Sequence, residues 1–209
     1  MGSQLRILLR KFNRKEGDHM YEIIQRRIEE SIAVKKRVLE DDKLVMLVAN
    51  LAEEIARSIQ AGKKIVICGN GGSASDALHF AGEIVGRFQQ ERNAWPAVVL
   101  NADVATMTAI ANDYGYENIY ARQAQGHVKQ GDVFIGISTS GSSENVYRAI
   151  EVAKKNGAVT AALLGKDGGK ILNAVEYPMV VKEMNTARIQ ECHILLIHIL
   201  CELVEKTLG

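Results

Sequence analysis

Apolar residues along this chain alternate between blocks of helical spacing and short extended runs. Through residues 21–60 they recur every three or four positions, which predicts two helices with a break at Asp41-Asp42. After Gly62 the helical spacing of apolar residues gives way to a short continuous apolar run at 64–68, and the glycine-rich segment 69–72 follows it directly. The change from helical to extended spacing predicts that a sheet begins here.

The rest of the chain repeats this unit of strand, turn and helix. Extended runs at 64–68, 97–100, 133–137, 158–164 and 177–181 are separated by helical patterns at 73–88, 104–111, 117–129, 144–155 and 186–207. Strands that alternate with helices form parallel sheets with helices on both faces, and ligands bind at the carboxyl ends of the strands. We therefore predict an α/β fold, a three-layer sandwich with a five-stranded parallel sheet and extra N-terminal helices.

Composition places the chain among ordinary globular domains. Of 209 residues, 47% are hydrophobic, and the formal net charge of +1 gives no drive toward nucleic acid. The longest apolar run of the last helix, 194–201, is interrupted by His198 and is too short to span a bilayer. Three scattered cysteines argue against a disulfide framework and favour a reducing compartment, the cytoplasm. We expect residues 1–19 to be a basic, flexible or weakly helical extension and 20–209 to be a single domain.

The glycine-rich segment after the first strand allows two interpretations. Gly69, Gly71 and Ala74 match the pattern G-x-G-x-x-A, which raises the possibility of a dinucleotide site. That fingerprint expects an acidic residue about 20 positions further on, at the end of the second strand. Residues 89–91 lie about 20 positions further on, but they precede the end of the second predicted strand, at Leu100, so the acidic residue is not where the fingerprint requires it. The alternative is a tight turn without a ligand.

A second loop, 138–143, is rich in hydroxyl groups. It reads Ser-Thr-Ser-Gly-Ser-Ser between a predicted strand and a predicted helix. Free backbone N–H groups and the positive end of the helix dipole converge at such a junction, and hydroxyls add hydrogen bonds without charge. The pattern favours a phosphate site, although no G-K-[ST] of a P-loop is present. Ordinary capping of the helix by Ser142 or Ser143 is the alternative.

The histidines offer further candidates. His79 and Glu83 are four positions apart on one helix face, as in half of a metal site or an acid–base pair, although such pairs also simply stabilise helices. His193 and His198 fall in the last helix, which is apolar nearly all round and therefore predicted to be buried. One side of that helix is expected to meet another subunit, and the helix 21–39 is a second candidate for the interface.

Taken together and in order, these motifs resemble the phosphoheptose isomerases of the sugar isomerase (SIS) superfamily. The segments that carry the resemblance are 68–73, His79 with Glu83, 111–115, 138–141, 165–169, 188–191 and His198. The resemblance extends from about Met20 to Leu208. It implies conversion of sedoheptulose 7-phosphate to D-glycero-D-manno-heptose 7-phosphate, the first step toward nucleotide-activated heptoses of bacterial surface polysaccharides. It also implies a homotetramer with active sites between subunits.

The resemblance also assigns roles to residues. The implied substrate contacts are Asn70, Gly71, Gly72, Glu83, Asn112, Asp113, Ser138, Thr139, Ser140, Ser143 and Gln190. The implied zinc ligands are His79, Glu83, Gln190 and His198. In an enediol isomerisation Glu83 would serve as the base and His198 as the acid. A carboxylate bound to zinc is a weaker base, so these two roles of Glu83 compete.

The spacing of these residues along the sequence does not by itself predict the four zinc ligands. Gln190 and His198 are eight residues apart, about 12 Å along an ideal helix and about 80° around it. The assignment of four zinc ligands therefore rests on the resemblance.

Two other functions belong to related branches of the superfamily. One is a tetrameric scaffold without enzymatic activity that binds the bacterial replication-initiator protein, and its members tend to lack the Glu and the final His. Glu83 and His198 are both present here, which favours the enzyme. The other is an isomerase for a different phosphosugar, which usually carries additional domains that 209 residues do not accommodate.

Overall fold

The computed structural model describes the backbone of residues 14–209 and the side chains of residues 19–209. Most of the expected N-terminal extension, 1–19, therefore lies outside the described residues. Residues 14–19 of that segment belong to the first helix, which continues without a break into the predicted helical region.

Each predicted element is present. The helices are α1 (Arg14–Leu39), α2 (Asp42–Gln60), α3 (Gly72–Val85), α4 (Val104–Tyr114), α5 (Ile119–His127), α6 (Glu144–Lys155) and α7 (Thr186–Leu208). The strands are β1 (Ile65–Gly69), β2 (Ala97–Val99), β3 (Val133–Ser138), β4 (Val159–Gly165) and β5 (Tyr177–Val181). Asp41 follows the end of α1 and caps α2, because its carboxylate accepts the N–H of Leu44 at 3.1 Å.

The five strands form one parallel sheet in the order β2-β1-β3-β4-β5, and this confirms the predicted fold class. Helices cover both faces, so alternate residues of one strand enter different cores. Ile65 and Ile67 pack with α1, α2, α3 and α7, whereas Val66 and Cys68 pack with α4, α5 and α6. Burial on both faces explains why β1 is a continuous apolar run rather than an alternating one.

The direction of the sheet order reverses at β1, which has β2 on one side and β3 on the other. Residues after these neighbouring strands meet at one edge, and Gly69 pairs in register with Ile137. The glycine-rich loop after β1 and the serine-rich loop after β3 are therefore neighbours at a topological switch point. Open α/β sheets bind their ligands in this crevice.

The long last helix is covered mainly by its own chain. Nine of its residues are buried, including Ile189, Leu196 and Leu200, and α2 and α3 pack against it. The exposed apolar side chains lie mostly on other elements. Those on α1 are Met20, Tyr21, Ile24, Ile28, Ile32 and Leu39. Within residues 14–209, no helix combines the length and apolarity that crossing a bilayer requires.

Candidate active site

The glycine-rich loop is shaped by close backbone contacts. Gly71 has φ +56° and opens helix α3, a conformation that favours glycine. A Cβ on Gly69 would lie 2.5 Å from the carbonyl oxygen of Ser73, so no side chain fits there. Asn101 holds the loop from outside by accepting the N–H of Gly69 (3.3 Å) and donating to the carbonyl of Ala74 (3.2 Å).

Asn101 bears directly on the dinucleotide hypothesis. It follows β2, where a dinucleotide fold carries the carboxylate that binds the ribose. Here the position holds an amide whose two polar groups both bond to the glycine loop. This use of the position disfavours a nicotinamide cofactor.

Asn70 projects from the loop into a polar network. Its amide pairs reciprocally with that of Asn145, at 2.9 and 3.0 Å. The hydroxyl of Tyr116 donates to Oδ1 of Asn70 (3.0 Å), and the buried hydroxyl of Tyr120 donates to the carbonyl of Gly69 (2.5 Å). Sequence analysis predicted Asn70 but not Asn145, Tyr116 or Tyr120, which reach this loop from distant parts of the chain.

The serine-rich loop folds so that its hydroxyls face one another. The buried Oγ of Ser138 lies 2.9 Å from Oγ of Ser143 and 3.4 Å from Oγ of Ser140. Ser143 is the N-terminal boundary of α6, but its side chain makes no capping hydrogen bond. Capping by Ser143 therefore does not account for this loop, and the positive end of α6 is not covered by that hydroxyl.

Two further contacts join the loops that surround the crevice. Gly141 (φ +65°) packs so closely on the backbone of Gly168 that a Cβ would overlap the Gly168 carbonyl. The loop 165–169 thus braces the serine-rich loop. The first turn of α7 fits between the loops, because Gln190 lies against Gly72 and Ile189 lies beside Gly165.

A cluster of two histidines and a glutamate lies further along α7. Nε2 of His79 is 3.1 Å from Oε1 of Glu83 and 3.2 Å from Nε2 of His198. One ligand atom from each of the three residues falls within 4.8 Å of the others. His79 and Glu83 extend from α3 and His198 from α7, so packing of these two helices assembles the cluster.

The structure does not bring every predicted site residue into these clusters. Asn112 and Asp113 are exposed near the end of α4, and the amide of Asn112 donates to the carboxylate of Asp113 (2.9 Å). Gln190 contacts the glycine-rich loop, about 12 Å along the helix axis from His198. The substrate role of the first two residues and the zinc role of Gln190 stay predictions.

Two other ionisable groups lie near the site: Asp76, which sequence analysis did not single out, and His193, which it placed in the buried last helix. Asp76, one turn before His79, has a buried Oδ2 without a hydrogen-bond partner among the described residues. Burial raises the pKa of Asp76 above its usual value, and the neighbouring His79 offsets only part of this increase. His193 is fully buried on α7 with Nε2 2.9 Å from the carbonyl oxygen of Leu164. Burial lowers the pKa of His193 to about 4, so this histidine is a neutral core residue.

Fold and loops together define a SIS domain, and the model of that domain family matches residues 28–165. A phosphoheptose isomerase of Thermodesulfovibrio yellowstonii is 51% identical over 88% of this chain and 91% of its own. One from Clostridium acetobutylicum is 43% identical over 90% and 96%. The chain belongs to the phosphoheptose isomerase family of SIS-domain proteins, and is an isomerase.

Solved structures agree with this assignment. The phosphoheptose isomerase of Neisseria gonorrhoeae superimposes with a TM-score of 0.84 at 38% identity, covering 90% of this chain and 99% of that one. The corresponding values for the Francisella tularensis enzyme are 0.85, 34%, 90% and 98%. The predicted family resemblance is confirmed.

Proposed function

We propose that this protein converts sedoheptulose 7-phosphate to D-glycero-D-manno-heptose 7-phosphate, as the first step toward nucleotide-activated heptoses. The observation that carries the proposal is the convergence of His79, Glu83 and His198 on one side of α7, with a phosphate-type loop near the start of the same helix. The names of the relatives at 43% and 51% identity support the same substrate.

The position of the two clusters suits the shape of the substrate. Sedoheptulose 7-phosphate carries its phosphate at one end and the reacting carbons C1 and C2 at the other. The hydroxyls of Ser138, Ser140 and Ser143 converge at the N-terminus of α6, where a phosphate is favoured. Gln190 lies against Gly72, and His198 follows it by eight residues, about 12 Å along α7, so the proposal places the sugar chain between the loops at the start of α7 and the acid–base groups further along it.

Glu83 and His198 have the chemistry that an enediol route requires. Glu83 removes a proton from C1 and returns it to C2, while His198 gives a proton to the oxygen on C2 and recovers one from the oxygen on C1. Oε1 of Glu83 is engaged with His79, which leaves Oε2 as the oxygen for proton transfer. Asn70, held by Asn145 and Tyr116, is a rigid donor for a sugar oxygen.

The histidine–glutamate cluster also fits a zinc ion. Two imidazole nitrogens and one carboxylate oxygen form the donor set of many catalytic zinc sites, which keep a further position open. His79, Glu83 and His198 would hold the ion, with Gln190 as the fourth ligand that the family resemblance implies. A bound zinc would supply polarisation of the substrate carbonyl.

We further propose that the enzyme is a homotetramer of single SIS domains, residues 20–209, with sites between subunits. Helix α1 presents a row of exposed apolar side chains that a second copy would cover. Leu78 and Val85 are also exposed and flank His79 and Glu83 on α3, so a partner chain would close over the cluster. The three cysteines are buried and unpaired, which favours the cytoplasm as the site of action.

Incubation with sedoheptulose 7-phosphate, followed by NMR of the products, tests the proposal. We expect heptose 7-phosphate to accumulate until equilibrium, with a lower rate after treatment with a chelator. Arabinose 5-phosphate serves as a comparison substrate and should react far more slowly. Absence of turnover by protein loaded with zinc would contradict the proposal and would favour the scaffold function.

A further inference from the structure

Glu205, near the end of α7, is a buried carboxylate with an unusually complete set of donors. It is 2% exposed and accepts the backbone N–H groups of residues 88–90 at 2.8–2.9 Å. Nε of Arg92 also donates to it at 3.0 Å. Burial raises the pKa of Glu205, but these donors outweigh it and hold the pKa below its usual value. Glu205 therefore fixes the loop after α3 as an anion.

Arg92 connects the same carboxylate to the end of α3. Its guanidinium donates to the carbonyl oxygens of Glu83 (2.8 Å) and Ile84 (3.0 Å), which belong to the last turn of that helix. The guanidinium also lies 3.5 Å from the ring centre of Trp95. The ion pair thus joins the backbone of Glu83 to the helix that carries His198.

Phe88 completes the connection. Its N–H is one of the donors to Glu205, and its ring stacks on that of His198, with ring centres 5.6 Å apart and planes inclined by 24°. His198 is therefore held between Phe88 and His79, whose ring centre is 5.1 Å away. Phe88 packs on the face of the His198 ring and restricts rotation of that ring.

We propose that Glu205, Arg92 and Phe88 are positioning residues that set the separation of Glu83 and His198 and the orientation of the His198 ring. They touch neither substrate nor reacting atoms. Their effect on turnover rests on the proposed isomerase function, whereas their effect on ring orientation does not. Groups that orient a ligating histidine typically contribute about 10–100-fold to activity or metal affinity.

The test uses Glu205→Gln, Phe88→Ala and the conservative Phe88→Tyr. Asp132→Asn is the matched control, because Asp132 is also a buried carboxylate that accepts two backbone N–H groups and pairs with a cation, Lys64. It lies just before β3, and within the described residues its carboxylate binds only Lys64 and the N–H of Lys129, neither of which belongs to α3, α7 or the loop that follows α3. Both carboxylate variants are expected to lose stability, so stability alone does not distinguish them.

Two readouts distinguish positioning from stability. Below the unfolding temperature, Glu205→Gln and Phe88→Ala should lower kcat about 10–100-fold with little change in KM, whereas Phe88→Tyr and Asp132→Asn should not. In metal-free protein, the NMR signals of the His198 ring protons should lose the ring-current shift caused by Phe88 in the first two variants only.

Glu205→Gln that retains both the ring-current shift and a kcat equal to that of Asp132→Asn would overturn the proposal. Lack of turnover in the wild type would count against the isomerase function and not against positioning. In that case the ring-current shift decides: its retention in Glu205→Gln would overturn the proposal, and its loss would support it.

Discussion

His79 and His198 meet through their Nε2 atoms at 3.2 Å, although 119 positions separate them in sequence. At this separation one ring nitrogen can donate a hydrogen bond to the other, and the same arrangement suits the metal ion proposed above. Oε1 of Glu83 approaches the same point from α3. The candidate acid–base and metal-binding groups of the described residues therefore meet at this point.

Glu83→Gln and His198→Gln should each abolish most of the turnover. Each change keeps the approximate size of the side chain and removes its capacity to exchange a proton. General acid–base groups contribute about 10²–10⁴-fold, and we expect losses of kcat in that range while substrate affinity changes far less. Steady-state kinetics with metal analysis of each variant checks this. Near wild-type rates in both would refute the assignment.

Zinc should bind more weakly to His79→Ala than to Gln190→Ala. Imidazole nitrogen is a stronger zinc donor than an amide oxygen, and Gln190 lies at Gly72 rather than beside the other three residues. Competition with a chromophoric chelator measures both affinities. An equal loss in the two variants would show that Gln190 is a full member of the metal site.

The serine-rich loop should account for phosphate affinity. We expect the triple change Ser138→Ala, Thr139→Ala and Ser140→Ala to raise KM at least tenfold, because hydrogen bonds to a charged group contribute about 1.5–3 kcal/mol each. Inhibition by inorganic phosphate should weaken in parallel. Ser142→Ala, an exposed serine of the same loop, is the control. Unchanged phosphate inhibition in the triple variant would exclude this loop as the phosphate site.

Gly141→Ala should destabilise the fold more than Gly62→Ala. Both glycines have positive φ, +65° and +70°, so both alanines carry the cost of that conformation, about 1–2 kcal/mol. Only at Gly141 does the added Cβ overlap a neighbour, the carbonyl of Gly168, which adds about 1–3 kcal/mol. Urea unfolding of the two variants gives the difference. Equal losses would mean that the two loops do not brace each other.

His193 should make the protein acid-sensitive. Burial lowers its folded pKa to about 4, whereas the unfolded value is about 6.5. Above pH 6.5 both states are neutral. As pH falls toward 4, the unfolded chain takes up a proton that the native state does not, so the free energy of unfolding decreases, by about 2 kcal/mol between pH 7 and 5.

His193→Gln is the matched variant, because its amide nitrogen can still donate to the carbonyl of Leu164. Urea unfolding at several pH values should show a smaller decrease for this variant than for the wild type. Identical pH dependence in both proteins would mean that His193 is not the group responsible.

The sequence alone predicted most of the fold, because the spacing of apolar residues along the chain reflects which side chains are buried. The alternating strand and helix blocks predicted every α-helix and β-strand of the described residues, and the rule that ligands bind at the carboxyl ends of strands located both loops. It also paired His79 with Glu83, since four positions on a helix place two side chains on one face. Their joining to His198 came only from the family resemblance.

Tertiary structure decided what depends on distant contacts. Asn145 and Tyr116 hold Asn70 from separate helical segments. Phe88 packs on His198 from a loop more than 100 positions earlier in the chain, and Glu205 holds that loop in place. No local pattern encodes such pairs, because helix packing alone sets their distances. Residue types and spacing therefore determined the fold class and the kind of chemistry. The packing of α3 against α7 determined which side chains meet to perform it.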